Sequence, residues 1–390
     1  MGGNARTVKN GEDVFAQKVD LTKFKRKFVK DEVLKMLQDM DNKLNIWPDF
    51  KQVKNGYNFN GSSDALMNDE IPDEEYTLLK PMLGDIDIML PDDTKEKVHK
   101  FLDTYKGTST LKFIGHNKPN KDAIGHQINA IFELQSKDAK GTVDTVNLQI
   151  DFEFVEFEDG KGSEFSKFAH SSSWEDMKQS KFVPGLKGGV AHKLLLRSLF
   201  GGASLYKDAL VVTPKSTPEK IVIKKTKGVQ SELRMLKFSV DRGLRKAYAK
   251  FTKGNKHLRQ DGKLLYIEVP TKDSSYVKTV QTIAEMVFGE LTKTEHKLFW
   301  SYTGLLKLMT KLDKKSKLDT YKRLLDVFWQ ARPGKNIAQG LERDNPELDL
   351  QIKVAAITLF HKVLKVKDEK KVKEMTDLYY SQYATSEVID

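Results

Sequence analysis

The sequence predicts an α+β protein: a mixed sheet with helices on one side, then a basic β-containing middle region, then a C-terminal helical bundle. Three observations carry that expectation. Apolar and polar residues alternate along 83–90 and 146–155, the period of a strand with one face in a core. Short β-rich runs crowd the most basic part of the chain, between 208 and 270. From about 275 onward the apolar residues recur at helical spacing. The expected division is 1–200, 201–272 and 273–390.

Residues 1–20 show little pattern. From Leu21 to Trp47 the positions Phe24, Phe28, Val33, Leu34, Met36, Leu37, Met40 and Leu44 fit one helix, which Pro48 ends. A second helix is expected at 93–105, with Val98, Phe101 and Leu102 on one face. Residues 128–135 and 146–157 read as a hairpin joined through the Lys140-Gly141 turn. Phe168 to Asp176 reads as a loop followed by a helix starting at Ser173, and Pro184 to Leu199 as a glycine-bearing loop that opens another helix. Strand-like runs follow at 209–212, 220–223, 236–240 and 264–269. The helices of the C-terminal region are expected at 275–292, 294–310, 316–331, 347–365 and 368–384, with Trp300, Phe328 and Trp329 in their core.

Composition narrows the function classes. With no cysteine, the chain has no disulfide, no thiolate zinc site and no cysteine nucleophile, which is compatible with the cytoplasm. No apolar run is long enough to cross a bilayer, and the first residues lack the apolar core of a signal peptide. The net charge of +11 is unevenly spread: residues 1–160 carry 22 basic and 29 acidic side chains, residues 161–272 carry 24 and 9, and the remainder 20 and 17. Basic charge clustered in 161–272 is an electrostatic footprint for a polyanion, and Tyr248 and Phe251 within it could stack on bases.

The sharpest chemical signal lies in the first alternating run. Asp85 and Asp87, two apart, share one face of a strand while Ile86 and Ile88 turn to the core. On the second run Asp151 shares a face with Gln149 and Glu153. If the two strands are neighbours, three carboxylates converge, and such a nest stays ionised when a hard divalent cation, Mg²⁺ or Mn²⁺, sits among them. The expected metal ligands are therefore Asp85, Asp87 and Asp151, and a Gly-Ser-Ser lies upstream at Gly61, Ser62 and Ser63.

Gly61-Ser62, then Asp85-Ile86-Asp87, then a lone Asp151 on a later strand resembles the nucleotidyltransferase superfamily built on the DNA polymerase beta palm. The likeness covers roughly 45–200. It implies that Gly61 and Ser62 touch the phosphates of a nucleoside triphosphate, that Asp85 and Asp87 bind both metals, and that Asp151 binds the catalytic metal and takes the proton of the acceptor hydroxyl. One departure stands out: 21 residues separate Ser63 from Asp85, more than is usual in the family.

Further nucleotide contacts are expected from Ser63 and from the glycine-bearing loop and its helix, where Gly188 and Gly189 would admit a phosphate and Lys187, Lys193 and Arg197 would neutralise it. His170 and His192 read as structural. The expected activity is transfer of a nucleoside monophosphate to an acceptor hydroxyl, at an RNA 3′ end, with release of pyrophosphate. The alternatives are a protein or small-molecule acceptor, a noncatalytic nucleic-acid-binding protein on a palm scaffold, and a glycosyltransferase whose paired aspartates hold a nucleotide-sugar.

Overall fold

The computed structural model describes residues 5–9, 12–117, 127–137, 141–170, 173–179, 188–199, 210–211, 229–239, 243–252, 265–269, 277–314, 316–318, 320–321, 324, 357–370, 373–374 and 377. It divides into two units, Met1–Lys178 and Gln179–Asp390.

The first unit opens with a hairpin, β1 (Arg6–Lys9) and β2 (Glu12–Phe15), where the sequence shows little pattern. Its hold comes from elsewhere in the chain. Gln17 N–H donates to the Asn147 carbonyl at 2.8 Å and Asn147 Nδ2 to the Phe15 carbonyl at 3.2 Å.

After β3 (Val19–Asp20) come α1 (Leu21–Phe24) and α2 (Arg26–Leu44). The single expected helix is thus broken at Lys25, whose φ is 51°. Helix α2 buries Val33, Met36, Leu37 and Met40 of the expected stripe, and it buries Val29 where the periodicity points to Phe28, which is half-buried. It stops before Trp47 because Asn45 turns left-handed, and Asp41 Oδ1 then accepts from the N–H groups of both Ile46 and Trp47 at 2.9 Å.

Next in order are α3 (Phe50–Lys54), β4 (Phe59–Asn60), α4 (Ser62–Met67), α5 (Asp73–Leu79), β5 (Met82–Leu83), β6 (Asp85–Pro91) and, after a 3₁₀ turn, α6 (Lys95–Thr104). The long interval between Ser63 and Asp85 is therefore folded, and buried cations fasten it. The Arg26 guanidinium, 3% exposed, donates to the carbonyls of Ala65, Leu66, Asn68 and Ile71 and pairs with Asp73 at 3.0 Å. Lys30 donates to the Met67 carbonyl and pairs with Asp69. Carbonyls that α4 leaves open at its C-terminal end thus find donors on α2.

Three further strands, β7 (Leu111–His116), β8 (Gln127–Lys137) and β9 (Val143–Val155), complete a five-stranded sheet of order β4-β6-β9-β8-β7. Strands β6 and β9 run parallel and the other pairs antiparallel, so the sheet is mixed. One face carries Ile86, Ile88, Leu90, Ile128, Phe132, Leu148, Ile150 and Phe152, and these form a single apolar cluster with the buried stripe of α2 and with Val98, Phe101 and Leu102 of α6. The unit closes with the hairpin β10 (Phe157–Glu158) and β11 (Lys161–Gly162), α7 (Glu164–His170) and α8 (Trp174–Gln179). Phe168 and His170, expected in a loop, belong to α7, while Ser173 caps α8 as its position suggests: its Oγ accepts from Asp176 N–H.

In the second unit α9 (Gly188–Leu199) is followed by β12 (Leu210–Val211), β13 (Val229–Ser239), β14 (Gly243–Thr252) and β15 (Leu265–Val269), an antiparallel sheet of order β12-β15-β14-β13. The run expected at 220–223 lies outside the described residues. Helices α10 (Val280–Phe288), α11 (Lys293–Leu298) and α12 (Tyr302–Leu308) come next, and 357–364 is helical. The helix expected over 294–310 is broken at Ser301, whose Oγ accepts from Gly304 N–H at 3.0 Å. His192 is buried with Nε2 donating to the Phe299 carbonyl at 2.9 Å, a structural bond. No helix among the described residues is long and apolar enough to cross a membrane.

Candidate metal centre

The register of β6 on β9 decides what the polar face of the sheet can do. Asp87 stands opposite Asp151 and Asp85 opposite Gln149, so the period-2 pattern of each strand delivers its carboxylates to the same patch. One oxygen from each of Asp85, Asp87 and Asp151 lies within 4.8 Å of the others. Among the described residues none of these aspartates forms an ion pair with lysine, arginine or histidine.

Burial and mutual repulsion dominate the electrostatics. Desolvation pushes the Asp87 carboxyl well above the usual carboxylate range, and the charges of Asp85, Glu153 and Asp151 push it further. Asp151, 1% exposed, is pushed up to about 7, chiefly by burial, although amide donors at Asn129 and Gln149 pull the other way. Asp85 is 7% exposed, and its Oδ2 is buried with no hydrogen-bond partner among the described residues. A buried carboxylate oxygen so placed, in an all-oxygen donor set, is the chemistry that Mg²⁺ or Mn²⁺ suits.

Neighbouring residues hold the acids in place. Asn129 Nδ2 donates to Asp151 Oδ1 at 2.6 Å, and Gln149 Nε2 donates to Asp151 Oδ1 at 2.8 Å and Oδ2 at 2.9 Å. Asn60 Nδ2 donates to Glu153 Oε2 at 2.7 Å. Ser63 is fully buried, and its Oγ accepts from the Asp87 N–H at 2.9 Å, tying the first turn of α4 to β6. Gly61 has φ 58° and ψ −133°, and a Cβ there would stand 3.0 Å from Asp87 Oδ2, so only glycine lets the chain pass this close to the carboxylate.

Of the residues expected from the sequence, Asp85, Asp87, Asp151, Gly61 and Ser63 come together, with Ser62 half-buried at the start of α4. Lys193 and Arg197 lie on α9 in the second unit, and Lys187 lies outside the described residues. Asn60, Asn129 and the role of Gln149 escaped the reading of the sequence. Gln149 carried a signal, its place two residues before Asp151. Asn129 reaches Asp151 only through the β8–β9 register, and Asn60 reaches the site through β4, which a two-residue strand does not announce.

No protein-family model matches this chain, and neither a curated protein nor a solved structure matches it.

Proposed function

We propose that the first unit carries the catalytic centre of a two-metal nucleotidyltransferase, which moves a nucleoside monophosphate from a nucleoside triphosphate to an acceptor hydroxyl. The observation that carries this reading is the convergence of Asp85, Asp87 and Asp151 within 4.8 Å, beside a glycine that leaves their rim open to close approach. When bound, Mg²⁺ or Mn²⁺ ions held by these carboxylates would neutralise the triphosphate and acidify the acceptor hydroxyl. The acceptor oxygen bonds to the α-phosphorus, the bond to the bridging oxygen breaks, and pyrophosphate leaves. Asp151, whose carboxyl is pushed up to about 7 chiefly by burial, receives the hydroxyl proton. Gly61 and Ser62, beside these carboxylates, border the phosphates. The surplus of 24 basic over 9 acidic side chains in 161–272 supports RNA as the acceptor.

The test is incorporation. Purified protein with Mg²⁺ or Mn²⁺ and each labelled triphosphate in turn should label total cellular RNA, and the mass of the product identifies nucleotide and acceptor. Asp87→Ala should abolish labelling with the fold intact. Full labelling by that variant excludes this centre. RNA binding with steep salt dependence but no labelling of RNA, protein or small acceptors favours a noncatalytic nucleic-acid-binding protein.

A further inference from the structure

Gln149 is almost fully buried, at 3% exposed, beside three acids, and a buried amide must have both its ends met. Its Nε2 donates to both oxygens of Asp151, and its Oε1 accepts from the backbone N–H of Ala5 at 2.8 Å, across 144 residues of sequence. That N–H decides which end of the amide faces the carboxylate. Reversed, the side chain would set an NH₂ against an N–H and a carbonyl against a carboxylate.

Ala5 is placed by the hairpin that follows it. Strand β1 packs against β7 and β8, where Thr7 is buried and closes on Gly115; a Cβ on Gly115 would stand 2.5 Å from Thr7 Oγ1. Gly115 and Gln149 both face Ile131 of β8 in register, and Ile131 is 1% exposed although it shares the polar face of the sheet. The N-terminal segment therefore crosses that face and is fastened at Gly115, Gln149 and Asn147.

We propose that Gln149 is a positioning residue of the metal centre, and that the N-terminal strand acts on Asp151 through it: Ala5 orients the amide, and the amide orients the carboxylate. This rests on the reading of the carboxylates as a metal site. Asn129 donates to Oδ1 of Asp151 and Gln149 to both oxygens, so the carboxylate is aligned before any cation arrives, and that alignment depends on docking of residues 5–17. Removing such a partner costs metal affinity without removing a ligand.

The experiment is Mn²⁺ titration of the full chain, followed by electron paramagnetic resonance and calorimetry. Gln149→Met keeps the volume and loses all three hydrogen bonds; binding about tenfold weaker, with a changed spectrum of bound Mn²⁺, is expected. Ala5→Pro deletes one N–H at the edge of the fold, should weaken binding by a smaller factor, and should add nothing in the Gln149→Met background. It carries the test alone if Gln149→Met fails to fold. A packing role alone would lower the melting temperature yet leave affinity and spectrum unchanged. That result, or additive effects of the two substitutions, overturns the proposal while the metal site stands. Failure of the unsubstituted chain to bind Mn²⁺ overturns both.

Discussion

At the scale of single residues, the centre is a place where folding works against itself. Asp151 is buried and Asp87 half-buried, both close to other acids, so their carboxyls hold protons at a pH where the unfolded chain has released them. For a raised carboxyl pKa the sign is fixed: stability is full below the unfolded value near 3.8 and is lost as pH rises through the folded value, about 7 for Asp151. Without divalent cation, the melting temperature of the first unit should fall between pH 5 and pH 8. Adding Mg²⁺ or Mn²⁺ at pH 8 should restore it, and both are read by calorimetry. Gly61→Ala should cost about 1–3 kcal/mol in urea denaturation, because its backbone angles are ones that L side chains rarely adopt. Arg26→Met should cost about 3–5 kcal/mol, since it leaves the buried carbonyls of Ala65, Leu66 and Ile71 without their donor at once.

At the scale of elements, what the sequence made legible is whatever depends on local period. The alternation around Asp85 and around Asp151 marks two strands with acids on one face, and the stripe from Val33 to Met40 marks α2. Register was harder. The hairpin of β8 and β9 pairs Lys137 with Val143 and, further along, Asn129 with Asp151, and a one-residue slip between the two strands would have sent Asn129 to the opposite face. Long-range attachment was not legible at all. Nothing local to Arg6–Phe15 says hairpin, because its anchors, Gly115, Asn147 and Gln149, lie more than a hundred residues away. The stop of α2 depends on Asp41 folding back on Ile46 and Trp47, so Asp41→Ala should cost about 1 kcal/mol by urea denaturation.

At the scale of the whole molecule, charge is segregated along the chain. Residues 1–160 have a net charge of −7 and residues 161–272 of +15, so the carboxylates and the basic surplus belong to different stretches of sequence. A polyanion bound through that surplus should lose affinity steeply with salt, and Asp87→Ala should leave the slope unchanged because it removes no phosphate contact. The central claim is that Asp85, Asp87 and Asp151 together hold divalent cations. Anomalous diffraction from crystals grown with Mn²⁺ tests it most directly. The expected map has a peak within coordination distance of all three carboxylates, absent from crystals of Asp87→Ala; a map with Mn²⁺ peaks elsewhere and none among these acids would contradict it.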